Sequence, residues 1–283
     1  MTELRKRFMR DMSISNYSEN TIRNYTEAVS GLARHCQKCP SQITEEEIRD
    51  YLKAVLVENK SWSHINIIQS AIKLLYTKTL DQSYKIDRLQ RPKTEKTLRY
   101  ILSQAEVIRL LDLCKNVKHK LIYMVMYATG LRVSEVAALK LTDIDSARMI
   151  IQVRNPKGHK QREVKMPPEL LVWLRIYYQK YKPTTYLFEG ADKKSHLSHR
   201  TIQTIFKQKV IAAGIKKPVS SHDLRHTHTT HCLEEGSDLQ AVQRNLGHSN
   251  IQTTLTYYHL TNRLKSSLIS PLETLPGYGT KCQ

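Results

Sequence analysis

The chain has 283 residues, 40% of them hydrophobic, and carries 45 Lys+Arg against 26 Asp+Glu. That length suits one large domain or two smaller ones with real cores, and no run of about 18 apolar residues offers a membrane span. The net charge of +19 points to a polyanionic partner, because phosphate binding is the commonest reason for such an excess; the alternative is a basic protein that is merely soluble.

The charge is uneven. Residues 1–85 carry a net +3 and residues 86–283 a net +16, so most of the attraction for an anion belongs to the C-terminal part. The basic N-terminal stretch MTELRKRFMRDM lacks the apolar segment and small-residue cleavage site of a secretion signal. Five cysteines, an odd number in a chain this long, argue for reduced thiols. A cytoplasmic location is expected.

Residues 1–85 read as a small helical bundle. Ser18 can cap a segment with Ile22, Tyr25, Val29 and Leu32 on one face. Thr44 to Glu47 is a capping box that opens a helix with Ile48, Tyr51, Leu52, Val55 and Leu56. Ser63 precedes a third stripe, Ile65, Ile68, Ile72, Leu75 and Tyr76. Residues 86–97 are polar, charged and interrupted by Pro92; they read as an interdomain linker, one able to follow a DNA backbone or simply a solvated connector.

A second domain starts near Leu98. Ser103 and Glu106 form another capping box. A strongly apolar helix, residues 121–128, ends at Gly130, and a further helix starts at Leu131-Arg132-Val133. An arginine at a helix start that packs into a core is unusual without an anionic partner. Residues 148–153 and 163–166 read as two strands of a hairpin with Lys157 at its tip; a lysine so placed is ordinarily just solvated. Pro168 opens a helix, Tyr186 to Phe188 reads as a short strand, and Ser198 caps another helix. The expected fold class is mainly α with a small antiparallel β-sheet.

The stretch from His222 to Tyr257 gathers the chemistry. On a helix beginning near Ser221, His222 and Arg225 share a face, with Leu224, Cys232 and Leu233 toward the core. A helix over about 238–246 ends at Gly247, followed directly by His248. Tyr257 and Tyr258 are adjacent, so on a helix they point about 100° apart. Ile251, Leu255 and Tyr258 form an i, i+4, i+7 core stripe, and Tyr257 lies off it, which favours Tyr257 as the accessible phenol.

These residues resemble the tyrosine recombinases, the phage-integrase and Xer-type site-specific recombinases. The resemblance rests on TGLRVSEVAALK around Arg132, NPKGHK around Lys157, HDLRH at 222–226 and LGHSNIQTTLTYYH ending just past Tyr257. It covers about 100–265 closely and the helical N-terminal region more loosely. The chain looks most like short Xer-like integrases of bacterial mobile elements. In that family the nucleophile lies nine residues after the LGH histidine, which again selects Tyr257.

The resemblance implies an N-terminal core-binding domain over 1–85, the linker 86–97, and an α+β catalytic domain over 98–275. Arg132 and Arg225 would clamp the non-bridging oxygens of a phosphodiester. Tyr257, His222, Lys157 and His248 would be nucleophile, general-base support, general acid and phosphate ligand, with Glu135 as a buttress. Strand exchange through a 3′-phosphotyrosyl intermediate and a Holliday junction would conserve bond energy and need no cofactor. Implied partners are double-stranded DNA sites in the nucleoid and a homotetramer on them, from monomers in solution. Residues 262–275 would dock on a neighbouring protomer or fold back on their own.

Other readings stay open. His222 and His226 have i, i+4 ligand spacing and Cys36-x-x-Cys39 is a second pair, but the pairs lie in different domains. A type IB topoisomerase-like enzyme would share the chemistry and relax DNA; a non-catalytic architectural protein would keep only the binding.

Overall fold

The structure is a computed structural model and describes residues 2–58, 62–83, 86, 100–154 and 161–247. The chain divides into two compact units, Met1–Thr97 and Leu98–Gln283. The linker apart from Ile86, the hairpin tip with Lys157, and everything from His248 onward, including Tyr257 and the segment 262–275, lie outside the described residues.

The first unit contains α1 (Glu3–Ile14), α2 (Glu19–Cys36), α3 (Glu45–Val57) and α4 (Trp62–Leu74), the last widening into a π turn over Leu75–Thr79. The caps expected at Ser18 and Thr44 form: each side-chain oxygen accepts the N–H three residues on. α1 was not foreseen beneath the basic residues around it. Thr2 caps it, and Phe8 and Met12, one turn apart, are its buried face. α4 runs over Trp62–Leu74, so Ser63, read as preceding that helix, lies within it. Leu32, Ile48, Ile68, Ile72 and Leu75 close the core, each contributing about 2 kcal/mol by leaving water.

The second unit is built on α6 (Val117–Thr129), whose Leu121, Ile122, Tyr123, Val125 and Met126 are all buried. Asn116 caps its start and Gly130, at φ +67°, ends it. Ahead of it lies α5 (Gln104–Asp112) with the expected Ser103/Glu106 capping box; behind it α7 (Val133–Ala138). Then comes an antiparallel sheet of β1 (Ile144–Asp145), β2 (Ile150–Val153) and β3 (Arg162–Lys165), in that order. Ile151 faces Val164 across β2 and β3, and both are buried. The helices α8 (Pro168–Tyr181), α9 (His199–Ala212), α10 (Ser221–Glu234) and α11 (Leu239–Leu246) complete it.

Two strand expectations are corrected. β1 pairs with β2 and had no apolar period to announce it. Tyr186 to Phe188 is not a strand: Tyr186 makes one isolated bridge with Lys140, and Leu187 and Phe188 are buried by packing. The fold is thus mainly helical with one small antiparallel sheet. Among the described residues no helix is long and apolar enough to cross a membrane.

Candidate active site

The site is assembled around the C-terminal end of α6. The last carbonyls of a helix have no partner within it, and here side chains from two other helices supply them. The His228 ring meets the Tyr127 carbonyl through Nδ1 at 2.7 Å. Asn245 Nδ2 donates to the Thr129 carbonyl at 3.0 Å. Arg225 Nη1 donates to the Gly130 carbonyl at 2.6 Å, and its Nη2 to the Leu246 carbonyl at 2.7 Å. Arg225 is 2% exposed. A cation at the negative end of a helix is favourably placed, so α6 helps to hold this guanidinium under the turn that leads to α7.

Glycine is required at that turn for two reasons. Gly130 has the left-handed φ that other residues adopt reluctantly. A Cβ there would lie 2.6 Å from His228 Cδ2 and 2.7 Å from Leu246 Cδ2.

Two residues on, Arg132 is the N-cap of α7. Its backbone N–H donates to Glu135 Oε2 at 2.8 Å and its Nη1 to Oε1 at 3.1 Å. Arg162, the first residue of β3, closes on the same carboxylate with Nη1 to Oε1 at 2.9 Å and Nη2 to Oε2 at 2.8 Å. Its Nε donates to the Asn245 carbonyl at 3.0 Å. Burial opposes the charge on Glu135, but the hydrogen bonds from Arg162 and the Arg132 N–H, with the two arginine charges, hold its carboxyl below the usual range.

His222 lies in the first turn of α10 and is exposed, one turn before Arg225. Its ring stands edge-on to His226 with centroids 4.7 Å apart. That turn is fixed by Ser220, whose N–H and hydroxyl both bond Asp223 Oδ2, at 2.7 and 2.8 Å. The structure therefore gathers Arg132 and Arg225 at one turn and carries His222 on the helix of Arg225. Lys157, His248 and Tyr257 lie outside the described residues. Gly247, the residue before His248, ends α11 at φ +66°.

The phage integrase family model matches residues 100–263, and the N-terminal SAM-like domain model of phage integrases matches residues 4–86. The chain belongs to the phage integrase family. It is a tyrosine-type site-specific recombinase, similar along its length to tyrosine recombinase XerA of Pyrococcus furiosus, with 33% identity over 92% of this chain and 90% of that protein. The y4qK protein of Sinorhizobium fredii is 36% identical over 98% of this chain and 90% of its own. A λ integrase tetramer bound to a Holliday junction shares the fold with a TM-score of 0.76, at 17% identity over 90% of this chain and 76% of that one.

Within this recombinase, reading the sequence missed Arg162 and Asn245, and the part His228 plays in holding the end of α6. Arg162 and Asn245 meet partners 27 to 116 residues away, so no local pattern marks them. α10 also buries His226, Thr227, His228, Thr229 and Thr230 beside Leu224 and Leu233, far more than the apolar residues alone indicated. Among the described residues no three His, Cys, Asp or Glu side chains come together as a metal site.

Proposed function

We propose that this recombinase cuts and rejoins duplex DNA at a site formed by Arg132, Lys157, His222, Arg225, His248 and Tyr257. The observation that carries the proposal is that the Arg225 guanidinium is bonded to the Gly130 carbonyl, two residues before Arg132, whose own guanidinium is held by Glu135. Two forks on one phosphate would neutralise the charge that builds on its non-bridging oxygens during attack. Tyr257 Oη bonds to phosphorus, the bond to the 5′-oxygen breaks, and Lys157 gives that oxygen its proton. A phenol with a pKa of about 10 needs help to ionise; His222 and the two arginines supply a base and a cationic setting. His248 hydrogen-bonds the phosphate. Attack by a second strand's 5′-hydroxyl on the phosphotyrosine reverses the step and rejoins DNA through a Holliday junction. The bond energy is kept in the covalent intermediate, so these residues complete the step without an external energy source.

The domain reading belongs to the same proposal. Residues 1–85 form a core-binding domain, 86–97 a linker, and 98–275 the catalytic domain. The net +16 of residues 86–283 supports a backbone-dominated grip on DNA there. The likeness to a λ integrase tetramer on a Holliday junction supports assembly of four copies on two duplexes, with 262–275 as the docking segment. The place of action is the cytoplasm, on nucleoid DNA.

A pool of duplexes with randomised centres, each nicked so that the released fragment diffuses away, tests this. The expected result is a protease-sensitive, SDS-stable protein–DNA adduct that forms in excess EDTA, and recovered sites that exchange strands when paired. DNA bound in native gels without an adduct would contradict it. So would relaxation of supercoiled DNA with no exchange between paired sites.

A further inference from the structure

We propose that Arg162 is a positioning residue: it neutralises Glu135, so that the Arg132 guanidinium stays available to a DNA phosphate, and it ties that support to the end of α11. The proposal rests on Arg132 being a phosphate clamp. A buried carboxylate requires a counter-charge and hydrogen-bond donors. A carboxylate offers about four acceptor positions. Arg162 fills two of them as a fork, at 2.9 and 2.8 Å. The Arg132 N–H takes the third at 2.8 Å, and the fourth takes a single guanidinium N–H of Arg132 at 3.1 Å.

The two arginines are not equivalent. The Arg162 side chain is 13% exposed and the Arg132 side chain 39%, so Arg162 is the inner counter-ion and Arg132 the one that faces outward. With Arg162 gone, Glu135 would keep its charge and lose two donors. Arg132 is the cation already touching it, and a planar fork pairs with a carboxylate in preference to a single contact. Arg132 would be drawn onto Glu135 and away from DNA. A lysine at 162 would keep the charge but not the fork.

Arg162 also reaches α11. Its Nε bonds the Asn245 carbonyl at 3.0 Å, and its Cδ lies 2.9 Å from where a Cβ on Gly247 would stand. One side chain thus joins the start of α7, the start of β3 and the end of α11. In sequence, those last two sites stand five residues after Lys157 and one residue before His248.

Single-turnover cleavage of a duplex recovered from the randomised pool, at saturating protein, tests the idea, with rate and burst amplitude read separately and DNA affinity measured in native gels. Arg162→Gln should slow the rate about 100-fold, the cost of losing one transition-state donor, with affinity within about threefold. Arg162→Lys should fall between. Removing the charge that captures Arg132 should undo much of the damage: Glu135→Gln/Arg162→Gln should cleave about tenfold or more faster than Arg162→Gln. If Arg162→Gln alone does not fold, the double variant is compared with Glu135→Gln, and rates within about threefold support the proposal while a further 100-fold loss overturns it. A rate for Arg162→Gln near that of the unaltered chain overturns it, as does a loss of amplitude and melting temperature alone. No adduct from the unaltered chain overturns the clamp reading beneath the proposal, and the proposal with it.

Discussion

Arg225 donates to the Gly130 carbonyl at 2.6 Å from a side chain that is 2% exposed. A residue assigned to bind phosphate is thus also a bolt of the fold, so one substitution should injure both duties. Arg225→Met keeps the bulk but leaves the Gly130 and Leu246 carbonyls without their donors. Each buried acceptor left unpaired costs about 1–3 kcal/mol, so urea unfolding should show a loss of about 2–5 kcal/mol together with loss of cleavage. Stability within about 0.5 kcal/mol of the unaltered chain would mean that the carbonyls find other donors.

Gly247→Ala should injure the site from the other side. The residue combines φ +66° with a blocked Cβ direction, 2.9 Å from Arg162 Cδ. The backbone conformation alone costs a non-glycine residue about 1–2 kcal/mol, and Arg162 must shift as well. Lower stability and slower cleavage are expected together. A variant with normal stability and normal cleavage would show that the Arg162 side chain yields without consequence.

His228 makes stability depend on pH. Burial, opposed by the hydrogen bond to Tyr127 and reinforced by the Arg225 charge, pushes its pKa down to about 4 from an ordinary 6.5. The unfolded chain therefore takes up a proton that the folded chain refuses between those values. The stabilisation is complete above pH 6.5 and is lost as the pH falls toward 4, to the order of 3 kcal/mol in all. Melting temperature measured from pH 7 to pH 4.5 should fall, and His228→Asn, which keeps a donor toward the Tyr127 carbonyl, should flatten that slope. An unchanged slope in the variant would assign the pH dependence to other groups.

Much of the fold was legible because helix ends are local chemistry. Ser18, Thr44, Ser103 and Ser198 each accept the backbone N–H expected of a cap, and Gly130 and Gly247 end their helices in the left-handed conformation. α1 was missed because Phe8 and Met12 give it only two buried positions among basic ones. β1 is two residues long and exists only through its pairing with β2. In the site, Arg132 and Arg225 stood in recognisable motifs. Arg162 did not, since an arginine at the start of a strand among charged neighbours looks like surface until Glu135 and Asn245 are brought to it. The burial of α10 escaped its apolar period for a similar reason: its polar side chains reach carbonyls of other helices, as Arg225 and His228 do.

The most direct measurement is peptide mapping of the covalent protein–DNA adduct from the nicked duplex, on the unaltered chain, Tyr257→Phe and Tyr258→Phe. Phosphotyrosine is expected at Tyr257, with an adduct from Tyr258→Phe and none from Tyr257→Phe although that variant still binds DNA. An adduct recovered from Tyr257→Phe, or phosphotyrosine mapped to Tyr258, would contradict that assignment.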